Sequence, residues 1–282
     1  MCYQKKAVTI NDISGIGKCS ITVASPILSS AGIETAVLPT ALLSTQTGGF
    51  DNFSFFDLTT EMKKIINHWK TLGIKFDAIY SGYLGSIDQI CMVDAFIDDF
   101  KKENTVVLVD PVMADSGKLY SGFSEQYVEK MRHLCTRSDI VAPNMTEALF
   151  LLGKKYEEGP YTENYIRQVL YDLAGMGCKK VVLTGVYFDR LSVGAACYDS
   201  QTDTFYISLA PRIDGFYHGT GDVFSSALLA GILNKKTLGQ SVDIAVDFTE
   251  KSVLRTYNAK TDTRYGVLFE KEIAGFINKL KN

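Results

Sequence analysis

The 282-residue sequence is short of several features that would each have fixed a class at once. Its six cysteines (Cys2, Cys19, Cys91, Cys135, Cys178 and Cys197) lie far apart, with no C-x-x-C pair. That spacing excludes the disulfide framework of a small secreted domain and offers no metal-binding pair, so the thiols read as reduced ones. No apolar run approaches the roughly 20 residues that a membrane-spanning helix needs. Lys and Arg number 29 against 32 Asp and Glu, a net charge of −3, and they are scattered. A dedicated nucleic-acid binder would carry a basic patch instead. The six prolines gather in no linker, and no repeat of about 20–50 residues divides the chain. The opening Met1 to Lys6 leads only into the short apolar stretch Ala7 to Ile10, shorter than a secretory h-region. The expectation is one domain over residues 1–282, in the cytoplasm, with neither membrane nor nucleic acid as partner.

What is present is rhythm. Hydrophobic residues make up 46% and charged ones 22%, which is ordinary for a globular chain. Short Val/Ile/Leu-rich runs alternate with helical patterns. Strands are expected at 7–10, 35–43, 77–81, 105–110, 139–142 and 180–184. Helices are expected at 19–31, 60–72, 88–101, 125–135, 146–152 and 165–176. This βα alternation predicts an α/β fold with a central, mostly parallel sheet and helices on both faces. Beyond Thr184 the runs 192–198 and 204–210 flank a turn-rich Asp199–Asp203, the pattern of a small antiparallel hairpin. Helices at 221–233, 239–257 and 268–280 close the chain. Ser44–Leu58 stands out as a long connection rich in Thr, Gly, Asn and Phe, the kind that serves as a lid or binding loop.

Two glycine motifs fail on inspection. Gly15-Ile16-Gly17-Lys18-Cys19-Ser20 has Asp12 where a P-loop needs its outer glycine, and Cys19 where it needs the Mg²⁺-binding hydroxyl. Ser20 likewise takes the third glycine of G-x-G-x-x-G. What remains is a glycine turn with Asp12 and Ser14 at a strand's carboxyl end, where open α/β sheets bind ligands.

His218-Gly219-Thr220-Gly221-Asp222 carries more. It opens a helix, and the glycines let backbone N–H groups face outward at the positive end of the helix dipole. The result is an anion hole suited to a phosphoryl group in transfer. Asp222, in the first turn, is placed to take a proton from a substrate hydroxyl; alternatively it is an ordinary acidic residue at a helix start. Asp110 and Asp115 follow an apolar strand, a pairing that suits Mg²⁺ with phosphate oxygens, or merely a solvated loop. Asn144 and Glu147 share a face at another strand end, and they also fit a helix capping box. Thr184 ends the strand 180–184. Asp12, Asp110, Asp115, Asn144, Glu147, Thr184 and Asp222 thus converge on one sheet edge, as ATP-dependent phosphoryl transfer requires.

These motifs, in this order, resemble the ribokinase-like superfamily, and within it the vitamin B6 kinases. Asp12-Ile13-Ser14-Gly15, Leu38-Pro39-Thr40, Ser44-Thr45-Gln46-Thr47-Gly48, Ser81-Gly82-Tyr83, Asp110-Pro111-Val112-Met113, Pro143-Asn144-Met145-Thr146-Glu147 and Gly219-Thr220-Gly221-Asp222 carry the likeness, which runs from about Ala7 to Leu280. The resemblance implies a ribokinase-like fold and phosphorylation of the 5′-hydroxymethyl group of a B6 vitamer by ATP. It gives Asp222 as general base and Gly219, Thr220 and Gly221 as the anion hole. Asp110, Asn144, Glu147, Thr184 and Thr220 would meet the nucleotide, and Asp115 with Glu147 would meet Mg²⁺. Asp12, Thr47 and Tyr83 would line the vitamin pocket. A homodimer is implied, and a monovalent cation is left open. The chain departs from the family at Asn11-Asp12, where a Ser-His pair is common, at Thr45-Gln46, where Asn-His is common, and at Gly185, where Ser is common. Hydroxymethylpyrimidine kinases are the nearest alternative, although many place Cys where this chain has Asp222. A sugar kinase or a non-catalytic binding member of the fold is a more distant one.

Overall fold

The computed structural model describes residues 4–281; Cys2 lies outside them. Strand β1 (Lys6–Ile16) is followed by α1 (Ile21–Ser30), β2 (Glu34–Thr45), β3 (Phe55–Asp57), α2 (Thr59–Thr71), β4 (Ala78–Ser81) and α3 (Ile87–Phe100). Next come β5 (Val106–Val109), the two-residue strands β6 (Ala114–Asp115) and β7 (Lys118–Leu119), α4 (Glu125–Thr136), β8 (Ile140–Val141), α5 (Met145–Leu152) and α6 (Glu163–Gly175). The chain ends with β9 (Lys180–Val186), β10 (Ser192–Asp199), β11 (Thr204–Pro211), α7 (Thr220–Leu233), α8 (Leu238–Ala259) and α9 (Ile273–Lys281).

Nine strands form one sheet in the order β11-β10-β9-β8-β5-β4-β1-β2-β3. From β2 to β9 neighbours are parallel; β3, β10 and β11 are antiparallel to theirs. The expected α/β class and the hairpin at 192–210 are therefore present, the hairpin as one edge of the main sheet. Alternate strand residues feed two cores, because successive side chains point to opposite faces. Val8, Ile10, Ile79, Val107 and Val109 pack beneath α2 to α6. Ala7, Ala78, Tyr80 and Leu108 pack beneath α1, α7, α8 and α9. A sheet buried on both faces explains the near-continuous apolar runs.

Three expectations are corrected. The strand placed at 7–10 runs on to Ile16, so Asp12, Ser14 and Gly15 lie within β1 and not in a turn after it. An equally long β2 carries the pairing forward, and an irregularity between Asn11 and Ile13 absorbs the register change. The expected loop 44–58 keeps no strand over residues 46–54 but closes on a short one, since Phe55, Phe56 and Asp57 pair with Leu43, Leu42 and Ala41. The helix expected at 268–280 breaks into a 3₁₀ turn, Phe269–Lys271, followed by α9. There Phe269 is anchored in the core, while the Leu268 N–H donates to Thr256 Oγ1 at 2.8 Å.

Candidate active site

The N-terminus of α7 organises the site. Gly219 sits at φ 73°, and a Cβ there would stand 2.0 Å from the Lys18 carbonyl oxygen, so only glycine fits. No side chain caps this helix, which leaves its first N–H groups directed at solvent and at any anion that arrives. Gly221 is a different case, because a Cβ there would meet nothing within 4 Å. The space above it is open.

Asp222 lies half-buried in the first turn. Burial, with Asp12 beside it, pushes its carboxyl up to about 6, against the opposing pull of the Ser20 N–H and the Asn11 amide. Ser20 reaches it through an unusual backbone: at φ 53° it interrupts the approach to α1, the kind of local strain that functional sites retain. The helix expected from Cys19 consequently starts at Ile21. The Ser20 hydroxyl donates to Asp12, and Ser14 Oγ donates to the other Asp12 oxygen at 3.3 Å. Burial raises Asp12 as well, and it pushes the Cys19 thiol up to about 12, with Asp12 and Asp222 adding to the effect. Cys19 is thus an un-ionised thiol. The five cysteines among the described residues are unpaired.

One turn along α7, Ser225 Oγ donates to Asp110 Oδ2 at 2.8 Å. Asp110 is buried, and both desolvation and the charge of Asp222 raise its pKa. The Tyr120 phenol is raised by burial first and then by Glu147, Asp115, Asp110 and Asp222. One side chain thus feels four of the carboxylates expected at the edge.

Glu147 has a structural role beside the one expected of it. Its Oε1 accepts the Met113 N–H at 3.1 Å and its Oε2 the Asn144 N–H at 2.9 Å. Asn144 Oδ1 in turn accepts the Glu147 N–H at 2.9 Å, completing a capping box on α5. The remaining Asn144 amide donates to the Ala114 carbonyl at 2.9 Å. Buried, with both oxygens on main-chain donors, Glu147 holds the loop after β5 against α5. Asp115 is more open: Oδ1 accepts the Ser116 N–H at 2.7 Å. Among the described residues no group of three or more His, Cys, Asp or Glu could hold a metal ion by itself. A divalent cation here must bring other oxygens, such as those of a nucleotide. Thr184 bridges to Asn144 across the sheet edge.

The vitamin-pocket expectations fare unevenly. Tyr83 is half-buried, its ring 6.0 Å from Phe123, and its phenol is raised by burial, by Asp12 and by Asp57. Thr47 is exposed at the tip of the β2–β3 arm. That tip is clasped from the far end of the chain. Arg264 donates to the Gly49 carbonyl at 3.3 Å and lies 5.2 Å over the Phe50 ring, while Gly48 leaves room for the His218 imidazole, 2.5 Å from where a Cβ would stand. Sequence reasoning missed Ser20, Asp57, His218, Ser225 and Arg264. The hydroxyl at Ser225, three residues past Asp222 and so on the same helix face, was a readable signal. The others depend on long-range contacts.

Residues 28–266 match the family model described as phosphomethylpyrimidine kinase. The chain belongs to this family. Its backbone superposes with TM-score 0.92 on a candidate phosphomethylpyrimidine kinase from Bacteroides thetaiotaomicron, crystallised with pyridoxal, at 37% identity over 97% of this chain and 96% of that one. It superposes with TM-score 0.90 on pyridoxal kinase from Lactobacillus plantarum, at 28% identity over 98% of each chain. The Dictyostelium discoideum pyridoxal kinase is 28% identical over 195 residues, 64% of this chain and 63% of that protein. The similarity thus spans just under two thirds of that curated relative. The ribokinase-like fold expected from the motifs is the fold of these neighbours.

Proposed function

We propose that this family member phosphorylates the 5′-hydroxymethyl group of a B6 vitamer (pyridoxal, pyridoxine or pyridoxamine) with ATP. The observation that carries the reading is the N-terminus of α7: an uncapped, glycine-opened helix end with a buried-side carboxylate, Asp222, raised to about 6. A carboxylate of that basicity suits proton abstraction near neutral pH. The pyridoxal bound to the Bacteroides neighbour supports the choice of acceptor.

In this reading Asp222 takes the proton as the substrate oxygen forms its bond to the γ-phosphorus. The bond from that phosphorus to the β,γ-bridging oxygen breaks, and ADP leaves with the electron pair. The N–H groups of Thr220 and Gly221 hold the charge on the phosphoryl oxygens during transfer, and positioning plus electrostatics carry most of the rate. Mg²⁺ arrives with ATP, and Asp115 is the carboxylate open to it. Asp110, Asn144 and Thr184 border the nucleotide, while Asp12, Tyr83 and Thr47 line the pyridine pocket. The β2–β3 arm, clasped by Arg264, excludes water from the phosphoryl group. A cytoplasmic homodimer belongs to the same reading, and of the two calls the homodimer rests on the resemblance alone.

Hydroxymethylpyrimidine is the second acceptor, favoured by the description of the matching family. A panel of pyridoxal, pyridoxine, pyridoxamine and hydroxymethylpyrimidine with ATP and Mg²⁺ separates the two. Turnover of a B6 vitamer is expected. Turnover of hydroxymethylpyrimidine alone overturns the reading.

A further inference from the structure

Asn11 is fully buried on β1, on the strand face that looks at α7. Its Oδ1 accepts two main-chain N–H groups, from Tyr83 at 2.8 Å and from Asp12 at 3.1 Å. Only the carbonyl end of a carboxamide can accept, so these two donors fix which way the amide points. Nδ2 then faces Asp222 Oδ1 at 3.5 Å. That distance is long, as catalytic hydrogen bonds often are before substrate binds. The fit is also built from the other side. At Gly82 a Cβ would stand 2.3 Å from Asn11 Nδ2, so glycine there leaves the amide its place.

We propose that Asn11 is a positioning residue for Asp222. Its locked amide occupies one carboxylate oxygen, keeps the carboxylate ionised and turns the other oxygen toward the substrate hydroxyl. The proposal rests on the reading of Asp222 as the base. The other groups facing Asp222 are Asp12 from β1, Cys19 before α1, Tyr80 from β4, Asp110 after β5 and Tyr120 after β7. Each of these is an acid, so none supplies a positive charge. The donors that favour the charged carboxylate are the Asn11 amide and the Ser20 N–H. Removing the amide therefore acts on proton affinity as well as on orientation.

The test is a carbon-13 NMR titration of the Asp222 carboxyl in the substrate-free protein, its signal assigned with Asp222→Asn, run alongside the pH profile of kcat/KM. In Asn11→Ala the titration midpoint and the acid limb are both expected to rise, by about half to one pH unit. kcat is expected to fall about tenfold or more with KM for ATP nearly unchanged. Asn11→Asp keeps the acceptor for both main-chain donors and replaces the amide with a charge, so its midpoint rises further. Gly82→Ala, which displaces the amide without touching its chemistry, is expected to follow Asn11→Ala and serves in its place if that variant does not fold. A folded Asn11→Ala or Gly82→Ala with an unmoved Asp222 midpoint overturns the proposal. If the wild type turns over no B6 vitamer, the substrate reading fails, while the titration still decides the role of Asn11.

Discussion

Two helices start at the same edge of the sheet with an acid in the first turn, and their ends have opposite fates. At α5 every group is spent on structure: Asn144 and Glu147 close a capping box, and both Glu147 oxygens sit on main-chain donors. At α7 the cap is a glycine with no side chain, and Asp222 stands half-buried in the first turn beside open space at Gly221. Helix dipole and orphan N–H groups are alike in both. What distinguishes a chemical end from a structural one is whether the chain satisfies those groups itself.

The sharpest way to break this comparison is Asp222→Asn. We expect kcat to fall by at least about 10²-fold with no loss of thermal stability. Steady-state kinetics and a melting curve on the same preparation check it. A fall in stability without a fall in rate would make the two helix ends equivalent.

Glu147→Ala probes the other end. It orphans the buried N–H groups of Met113 and Asn144, and each such group costs about 1–3 kcal/mol. Thermal or urea unfolding should register that loss, while kcat measured well below the transition falls by less than about tenfold, as for a structural substitution. A kcat loss matching that of Asp222→Asn would restore Glu147 to the chemistry.

How far these roles were legible in the sequence follows from the range of the interactions. The βα order, the α7 motif and the candidate capping box are written in neighbouring residues, so periodicity and spacing exposed them. Nothing local in Asn144-Met145-Thr146-Glu147 could say whether Glu147 meets a metal or a main chain, because Met113 comes from another loop. The arm at 44–58 read as a loop since its strand is three residues long and exposed, with no alternation to show. The extension of β1 past Asp12 depends on the length of β2, and the clasp on the arm tip comes from Arg264, 215 residues beyond Gly49. Short-range chemistry was readable; long-range partnership was not.

Both ends carry an acid that burial raises, Glu147 at α5 and Asp222 at α7, so both respond to pH. The Asp222 carboxyl is raised from its ordinary 3.8 to about 6. An acid raised on folding adds stability that is fully present below its ordinary value and is lost as pH climbs through the raised one. A shift of that size corresponds to roughly 3 kcal/mol, discounted to about 1–2 kcal/mol because the group is only half-buried. Asp222→Asn removes this loss. The variant should therefore melt at the same temperature as the wild type near pH 4 and at a higher one above about pH 7. Parallel melts across that range check it, and a constant difference would mean that Asp222 is not the group being titrated.

The mildest change is Gly221→Ala. Alanine is favoured over glycine in a helix by about 0.5–1 kcal/mol, and the added methyl meets no atom within 4 Å. Folding should hold or improve. If the open space above Gly221 is where the phosphoryl group lies during transfer, the methyl intrudes on it, and kcat/KM for ATP should fall about tenfold, less than the 10²–10³ typical of deleting an oxyanion donor outright. Gain in stability with loss of rate is the signature of a helix end kept open for a ligand. The corresponding experiment at α5 runs the other way: Asn144→Ala should lose about 1 kcal/mol of stability, since there the cap is already filled. Gly221→Ala with unchanged kinetics would mean that the vacancy above α7 is only surface.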